Sequence, residues 1–527
     1  MKNFTQRFFS SQKKLCVLTL FHFTFLYSIT IAFAGGLPKP YTPHDNIALD
    51  CGSTNNKIDL AGRSWFADST IFLDQSNKVS VILSSVTKGN SIPYKTARLS
   101  RSQFTYSFTV TPGPKFIRLH FYPSSYQEFN RSNAFFDVHI GGYTLLRSFS
   151  PALTADYLKS EVFAKEFCIN IDDQKLNILF SPDPSMPDSY AFINGIEIVS
   201  MPNNLYYSAD DDTGFNFVNQ VNPYRILEKQ ALETVYRVNV GGSSISPAQD
   251  TGMYRNWSED DEYLTNGKPS VLPVNLSINP SFSVIPNYSA PIPVYKTART
   301  MGTNKTVNEN YRLTWEFRVD SGFTYYVRLH FCEFQKEITE PGDRVFQIYI
   351  DNIVAEHQAD VISWAGAKGV PVYRDYAVMI GRAGTEKKRN LSIALHPAPA
   401  WRTKYSDAIL NGVEIFKLSN EGNLAGANPD RIPTIPHQNS LPPPIRPKYN
   451  SRAIFLIVIG VASGFVALSA ICFLIFRPKS RVEVSSSWYQ LSCKDYSSMD
   501  GSGEEHSGVG KHSKNTCSPE NKKWDLL

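Results

Sequence analysis

A sequence that resembles itself across roughly two hundred residues restricts the possible folds of this chain more than any other property. Tyr94-Lys95-Thr96-Ala97-Arg98 returns as Tyr295-Lys296-Thr297-Ala298-Arg299, and Arg118-Leu119-His120-Phe121 returns as Arg328-Leu329-His330-Phe331. Phe136-Asp137-Val138-His139-Ile140 matches Phe346-Gln347-Ile348-Tyr349-Ile350 in pattern. Ile193-Asn194-Gly195-Ile196-Glu197-Ile198 returns as Leu410-Asn411-Gly412-Val413-Glu414-Ile415. The offsets are 201, 210, 210 and 217, in order along the chain. Collinear matches with slowly growing offsets predict a duplicated unit of ordinary domain size.

Each copy predicts β structure. Ile117, Leu119 and Phe121 alternate with Arg118 and His120, and Val327, Leu329 and Phe331 alternate with Arg328 and His330. That period of two is the signature of a strand with one buried face. Asn194-Gly195 and Asn411-Gly412, flanked by apolar alternation, predict tight hairpin turns, because both residue types tolerate positive φ. Pro and Gly punctuation is dense, and no long amphipathic helix is evident. The expected fold is all-β: two tandem β-sandwich or jelly-roll domains, at 35–203 and 204–427.

The ends predict an exported, membrane-anchored chain. Lys2, Arg7, Lys13 and Lys14 precede an apolar stretch from Leu15 to Phe33, and Ala32-Phe33-Ala34 offers a small-x-small cleavage pattern. Residues 1–34 therefore read as a signal peptide and are left out of the fold argument. A second apolar run, 453–476, contains no charged residue and is long enough for one transmembrane helix. Between them, residues 428–452 are Pro-rich and read as a juxtamembrane stalk. Residues 477–527 are rich in Ser, Gly and charge and read as a short disordered cytoplasmic tail. Lys and Arg flank the span equally, so the positive-inside count is a tie. The signal peptide decides orientation: single-pass, type I, plasma membrane, N-terminal region outside. Candidate N-glycosylation acceptors agree, at Asn130, Asn256, Asn275, Asn287, Asn304 and Asn390, with none beyond Phe476.

Charge is uninformative about partners. Four of the 53 Lys and Arg lie in the signal and eight beyond residue 476; seven of the 48 Asp and Glu lie beyond it. The remainder balances, which argues against nucleic acid. Lys387-Lys388-Arg389 reads as a solvated turn, with contact to an acidic polysaccharide as the alternative. Outside the membrane only Cys51, Cys168 and Cys332 remain, so at most one bridge forms and the domains must stand on apolar cores.

No catalytic constellation emerges, and no cofactor or metal is implied. Asp210-Asp211-Asp212 and Glu259-Asp260-Asp261-Glu262 are the densest carboxylate clusters, and glycoside hydrolysis needs a carboxylate pair. Adjacent acids on one loop are more often solvated surface or a weak Ca²⁺ site. His120 and His330 lack a second ligand at metal spacing and read as structural. The tail holds no kinase motif; Gly501-Ser502-Gly503 has no strand before it. Aromatic residues reach 13% of the chain, many of them tyrosines in polar loops, such as Tyr122, Tyr126, Tyr206, Tyr207 and Tyr288. Such residues stack on sugars, anchor peptides or complete cores.

Several motifs, in order, resemble plant malectin-like receptor kinases of the FERONIA type. They are Leu49-Asp50-Cys51-Gly52-Ser53, Arg63-x-Trp65, Met201-Pro202-x-x-Leu205-Tyr206 and Arg255-x-Trp257 with Asp260-Asp261-x-Tyr263-Leu264. Arg328 to Glu333 and Asn423-Leu424-Ala425-Gly426 complete the set. The resemblance implies two malectin-like domains forming a receptor head. It implies secreted rapid-alkalinisation-factor peptides as ligands, small membrane-anchored co-receptors, a link to cell-wall pectin, and a cytoplasmic Ser/Thr kinase. The chain departs from the family in showing no kinase. The expectation is a kinase-less receptor-like protein, acting as decoy or as partner of full-length receptor kinases. A truncated product of a kinase gene is the second reading, and a carbohydrate-active enzyme using Asp260 or Asp261 the third.

Overall fold

The computed structural model describes residues 40–68, 82–83, 92–267, 269–382 and 384–430. The expected signal peptide, the span at 453–476, the tail and nearly all of the stalk lie outside these. Among the described residues no helix is long and apolar enough to cross a membrane. All of them fall within one compact unit, Met1–Thr434.

Strands dominate, and the repeated motifs occupy matching strands. In the first half, Gly113–Phe121 pairs antiparallel with Phe163–Ile171 on one side and Gly195–Ser200 on the other. Ile117, Leu119 and Phe121 point from it into a core shared with Phe104, Phe136 and Phe180. Those rings come from a four-stranded sheet of Phe104–Thr109, Lys175–Pro182, Phe136–Ile140 and Tyr143–Phe149. The second half repeats the plan. Phe323–Phe331 pairs with Val372–Ile380 and Gly412–Leu418. Its Val327, Leu329 and Phe331 meet Trp315, Phe346 and Ile393. Each buried Phe or Leu contributes about 1.5–3 kcal/mol of apolar transfer, so the two cores drive folding of both halves.

The halves are not beads on a string. Leu232–Asn239 pairs with Gly412–Leu418 of the second half and also with Phe163–Ile171 of the first, through Glu166 with Thr234, Phe167 with Glu233 and Cys168 with Leu232. One 12-stranded sheet therefore runs through both. On its other face lies a third core, in which Phe116, Cys168 and Val199 meet Leu205, Tyr206, Tyr207, Met253, Tyr326 and Phe416. The ends cross over as well. The Tyr41 amide donates to the Thr251 carbonyl at 2.8 Å. At the other end, Leu424 is fully buried in the first-half core, its amide donating to the Thr144 carbonyl at 2.9 Å. Asn428 Nδ2 donates to the Ser148 carbonyl at 2.7 Å.

Two sequence expectations change here. Arg118 and Arg328 do not face solvent opposite a buried stripe, because their guanidiniums are capped by the Met253 and Leu205 carbonyls of the third core, while His120 and His330 take the structural role their sequence suggests. Nor do the Asn-Gly pairs turn hairpins. Ala191–Ile193 pairs with Thr96–Ser100, whereas Gly195–Ser200 pairs with Gly113–Phe121, so Asn194 marks the point where the chain passes between sheets. Its Oδ1 accepts from the Tyr122 amide at 2.6 Å and its Nδ2 donates to the Thr96 carbonyl at 2.8 Å. Asn411 does the same with the Cys332 amide at 2.8 Å and the Thr297 carbonyl at 2.7 Å. A Cβ on Gly195 would sit 2.3 Å from Pro93 Cγ, so glycine is required there by close approach rather than by a turn.

Candidate functional site

The duplicated motifs converge on two copies of one buried hydrogen-bond network. His120 Nε2 lies 2.7 Å from Glu197 Oε1, and its Nδ1 lies 2.9 Å from the Tyr94 hydroxyl. His330 repeats this with Glu414 at 3.0 Å and Tyr295 at 3.0 Å. Trp65 and Trp257 meet these imidazoles edge-on. The arginine that ends each Tyr-Lys-Thr-Ala-Arg motif binds a carboxylate: Arg98 Nε donates to Asp68 at 2.8 Å, Arg299 Nε to Asp260 at 2.7 Å. Each carboxylate also accepts from a glycine amide, Gly52 or Gly241. Gly241 has φ +70°, and a Cβ there would lie 2.0 Å from the Ala298 carbonyl oxygen. The repeat is thus a repeat of architecture.

A ladder of alternating charge runs across the shared sheet. Arg118 pairs with Glu197 at 3.1 Å and with Glu166 at 2.5 Å. Glu166 pairs with Arg237 at 2.9 Å, and Arg237 with Glu414 at 2.8 Å. Burial alone would raise the carboxylates. Hydrogen bonds from His120 and His330, with the charges of Arg118 and Arg237, instead hold Glu197 and Glu414 well below the usual range. Arg237 and Arg118 likewise overcome burial and bring Glu166 down to about 2. Burial pushes His330 down, toward its neutral form. Lys417 bridges Glu233 and Asp320 in a second, parallel chain.

The other residues singled out by sequence fall apart in space. Asp260 is not solvated: it is 2% exposed and also accepts from Trp315 Nε1 at 2.8 Å. Those commitments make it a structural carboxylate and correct the expectation of an exposed acid cluster. Asp210, Asp211 and Asp212 do stay exposed. Among the described residues no three His, Cys, Asp or Glu side chains are arranged to hold a metal. Cys51, Cys168 and Cys332 are free and buried; burial pushes the Cys332 thiol up to about 12 and the other two well above their ordinary value. Such thiols are unreactive. Tyr126, Tyr206 and Tyr207 complete cores, while Tyr122 and Tyr288 remain half-buried. Lys388 is half-buried on Asp320 at 2.6 Å rather than solvated. Asn130, Asn256, Asn304 and Asn390 are exposed, and Asn275 and Asn287 half-buried.

What remains for recognition is surface relief. A groove of about 1200 Å³ beside the helix Pro151–Leu158 is lined by Tyr122, Arg131, Asp156, Lys159, Glu161 and Asp188, among others. Ser150 caps that helix by accepting from the Leu153 amide, which fixes its entry point. Arg131 donates to Asp156 at 2.9 Å and to the Pro123 carbonyl at 3.0 Å. Charges of both signs around a half-buried tyrosine suit hydrogen-bonded binding, with no nucleophile and base in partnership. The lining comes from five separated stretches of chain, and no local period in the sequence marks it.

Comparison with known proteins matches this architecture. The malectin-like domain model matches residues 49–418. The receptor-like protein kinase FERONIA of Arabidopsis thaliana is 42% identical over 473 residues, which are 86% of this chain and 52% of that protein. The receptor-like protein kinase ANXUR1 of the same plant is 33% identical over 462 residues, 85% of this chain and 52% of that protein. The chain thus spans about half the length of the curated relatives it matches. A crystal structure of the plant receptor-like kinase FER superposes with a TM-score of 0.67 at 43% identity, covering 73% of this chain and 99% of that one. A chain from the crystal structure of plant peptide RALF23 in complex with FER and LLG2 aligns with a TM-score of 0.66 at 42% identity, covering 74% and 99%. Fold and sequence agree, and the chain belongs to the malectin-like family of FERONIA- and ANXUR-type receptor-like kinases.

Proposed function

We propose that this chain is the extracellular head of a cell-surface receptor-like protein. In this reading two tandem malectin-like domains, at 35–203 and 204–427, stand on the stalk at 428–452 and are anchored by a span at 453–476. The head binds a secreted peptide of the rapid-alkalinisation-factor type together with a membrane-anchored co-receptor. One observation carries the reading: 99% of the FER-complex chain, solved with a peptide and LLG2, is matched by this fold at 42% identity. Full-length receptor kinases of the same family are proposed partners at the membrane. A pectin-like polysaccharide is the second reading, favoured by Arg318 and Lys387 beside a groove of about 450 Å³.

The test is binding by a secreted fragment, residues 35–450, to alkalinisation-factor peptides with and without co-receptor, and to pectin fragments. Submicromolar, saturable peptide binding that the co-receptor strengthens is the expected result. A folded, glycosylated sample that captures neither class would overturn the reading. Glycans are proposed at Asn130, Asn256, Asn275, Asn287, Asn304 and Asn390. Endoglycosidase digestion with peptide mapping reads their occupancy, and bare asparagines at all four exposed acceptors would refute secretion through the glycosylating pathway.

A further inference from the structure

A smaller groove, of about 390 Å³, lies where the segment after the third core meets the outer strand of the second half. Asn216 and Phe217 pair in parallel with Tyr376 and Ala377, and Asn216 Nδ2 donates to the Ala355 carbonyl at 2.7 Å. Phe215 and Tyr224 exchange backbone hydrogen bonds at 3.0 and 2.8 Å. The wall is therefore built rather than draped.

Its charges are unbalanced. Asp375 is neutralised by Arg328, through bonds of 2.8 and 2.9 Å. Asp212 and Glu356 line the same groove and have no ion pair among the described residues. Arg374 also lines the groove, its guanidinium over the Trp364 ring at 4.3 Å, so two carboxylates without an ion pair stand against one arginine there; Arg225 donates to the Ala209 and Asp210 carbonyls at 2.6 and 2.9 Å. A second and independent feature is Tyr376, which also lines the groove. It is 2% exposed, and its buried hydroxyl has no hydrogen-bond partner. A buried hydroxyl without a partner is costly and calls for an explanation. Burial, and then the charge of Glu356, push its ionisation up, so the hydroxyl stays protonated. Phe215 and Tyr373, both half-buried, add aromatic surface.

We propose that this groove receives an arginine side chain of an extracellular peptide, its guanidinium between Asp212 and Glu356 and against the aromatic wall, with Tyr376 completing the polar lining. The proposal rests on the reading that the ligand is a peptide, and adds the residue that the ligand must carry. A planar, weakly hydrated guanidinium fits paired carboxylates beside aromatic rings better than the compact ammonium of lysine. A metal ion is disfavoured, since no cluster of three ligating side chains exists among the described residues.

The experiment uses the full chain in detergent and two synthetic probes, acetyl-tetraarginine amide and its uncharged tetracitrulline counterpart. Tetraarginine is expected to bind saturably, more tightly at low salt, and about tenfold more tightly than tetracitrulline. Asp212→Asn with Glu356→Gln is expected to lower that affinity about tenfold. Glu128→Gln with Asp173→Asn, the same charge change at distant exposed sites, should leave it unchanged. Tyr376→Phe should leave the melting temperature level or raised, because the hydroxyl has no partner to lose, yet weaken tetraarginine about threefold. Equal binding of the two probes, no binding of tetraarginine, or an equal loss from the distant pair would each overturn the groove. A head that captures alkalinisation peptides but fails these tests loses the groove and keeps the proposed function. Tetraarginine binding with no capture of alkalinisation peptides does the reverse.

Discussion

Arg237→Met is expected to destabilise the folded unit by about 3–5 kcal/mol, because it leaves two buried carboxylates without their shared cation. Arg237 is 6% exposed, and it reaches Glu166 of the first half and Glu414 of the second at once. An exposed ion pair would contribute about 0–1 kcal/mol, so the size of the loss separates a buried ladder from surface decoration. Urea unfolding of wild type and variant, under identical conditions, reads the difference. A loss below about 1 kcal/mol would show that the ladder is not desolvated as described. Glu166→Gln, combined with Arg237→Met, should cost less than the sum of the two alone, with a coupling of about 1 kcal/mol or more.

Asn411→Ala is the second large effect, expected to cost about 2–6 kcal/mol. The substitution leaves the Cys332 amide and the Thr297 carbonyl buried without partners, at about 1–3 kcal/mol for each. An asparagine in an exposed hairpin turn would give changes of about 0.5 kcal/mol. The same unfolding assay therefore distinguishes the sheet-crossing role from the turn suggested by sequence. Asn194→Ala should behave alike, since its side chain bridges the Tyr122 amide and the Thr96 carbonyl. A loss near that of a surface site at Asn411 would return the pair to the status of a loop.

Those two residues also show what the sequence could and could not disclose. The repeat, the β class and the inward set Ile117, Leu119 and Phe121 were legible, because alternation is a local property of one strand. The fate of Arg118 and His120 was not. Arg118 is capped by the Met253 carbonyl and His120 is covered by Trp65 and Tyr94, and their partners Glu166 and Glu197 lie 48 and 77 residues away. Asn-Gly carries identical local cues in a hairpin and at a crossing between sheets; only the pairing of the flanking strands separates the two. Asp260 looked solvated because Asp261 and Glu262 are, yet its Arg299 and Trp315 partners come from 39 and 55 residues further on. The grooves were illegible for the same reason, being assembled from loops with no shared period.

The crossed ends bear on how such a chain is made. Leu424 fills the first-half core and bonds Thr144, although it is synthesised 280 residues later. Tyr41 in turn waits for Thr251. A multidomain chain commonly folds its N-terminal domain first, but here a first half released alone would lack both Leu424 in its core and the Thr251 partner of Tyr41. The first half leaves the ribosome with a gap in its core that only the last strap can fill. Closing that core depends on synthesis running through to residue 424, so the strap couples completion of the first half to synthesis of the second.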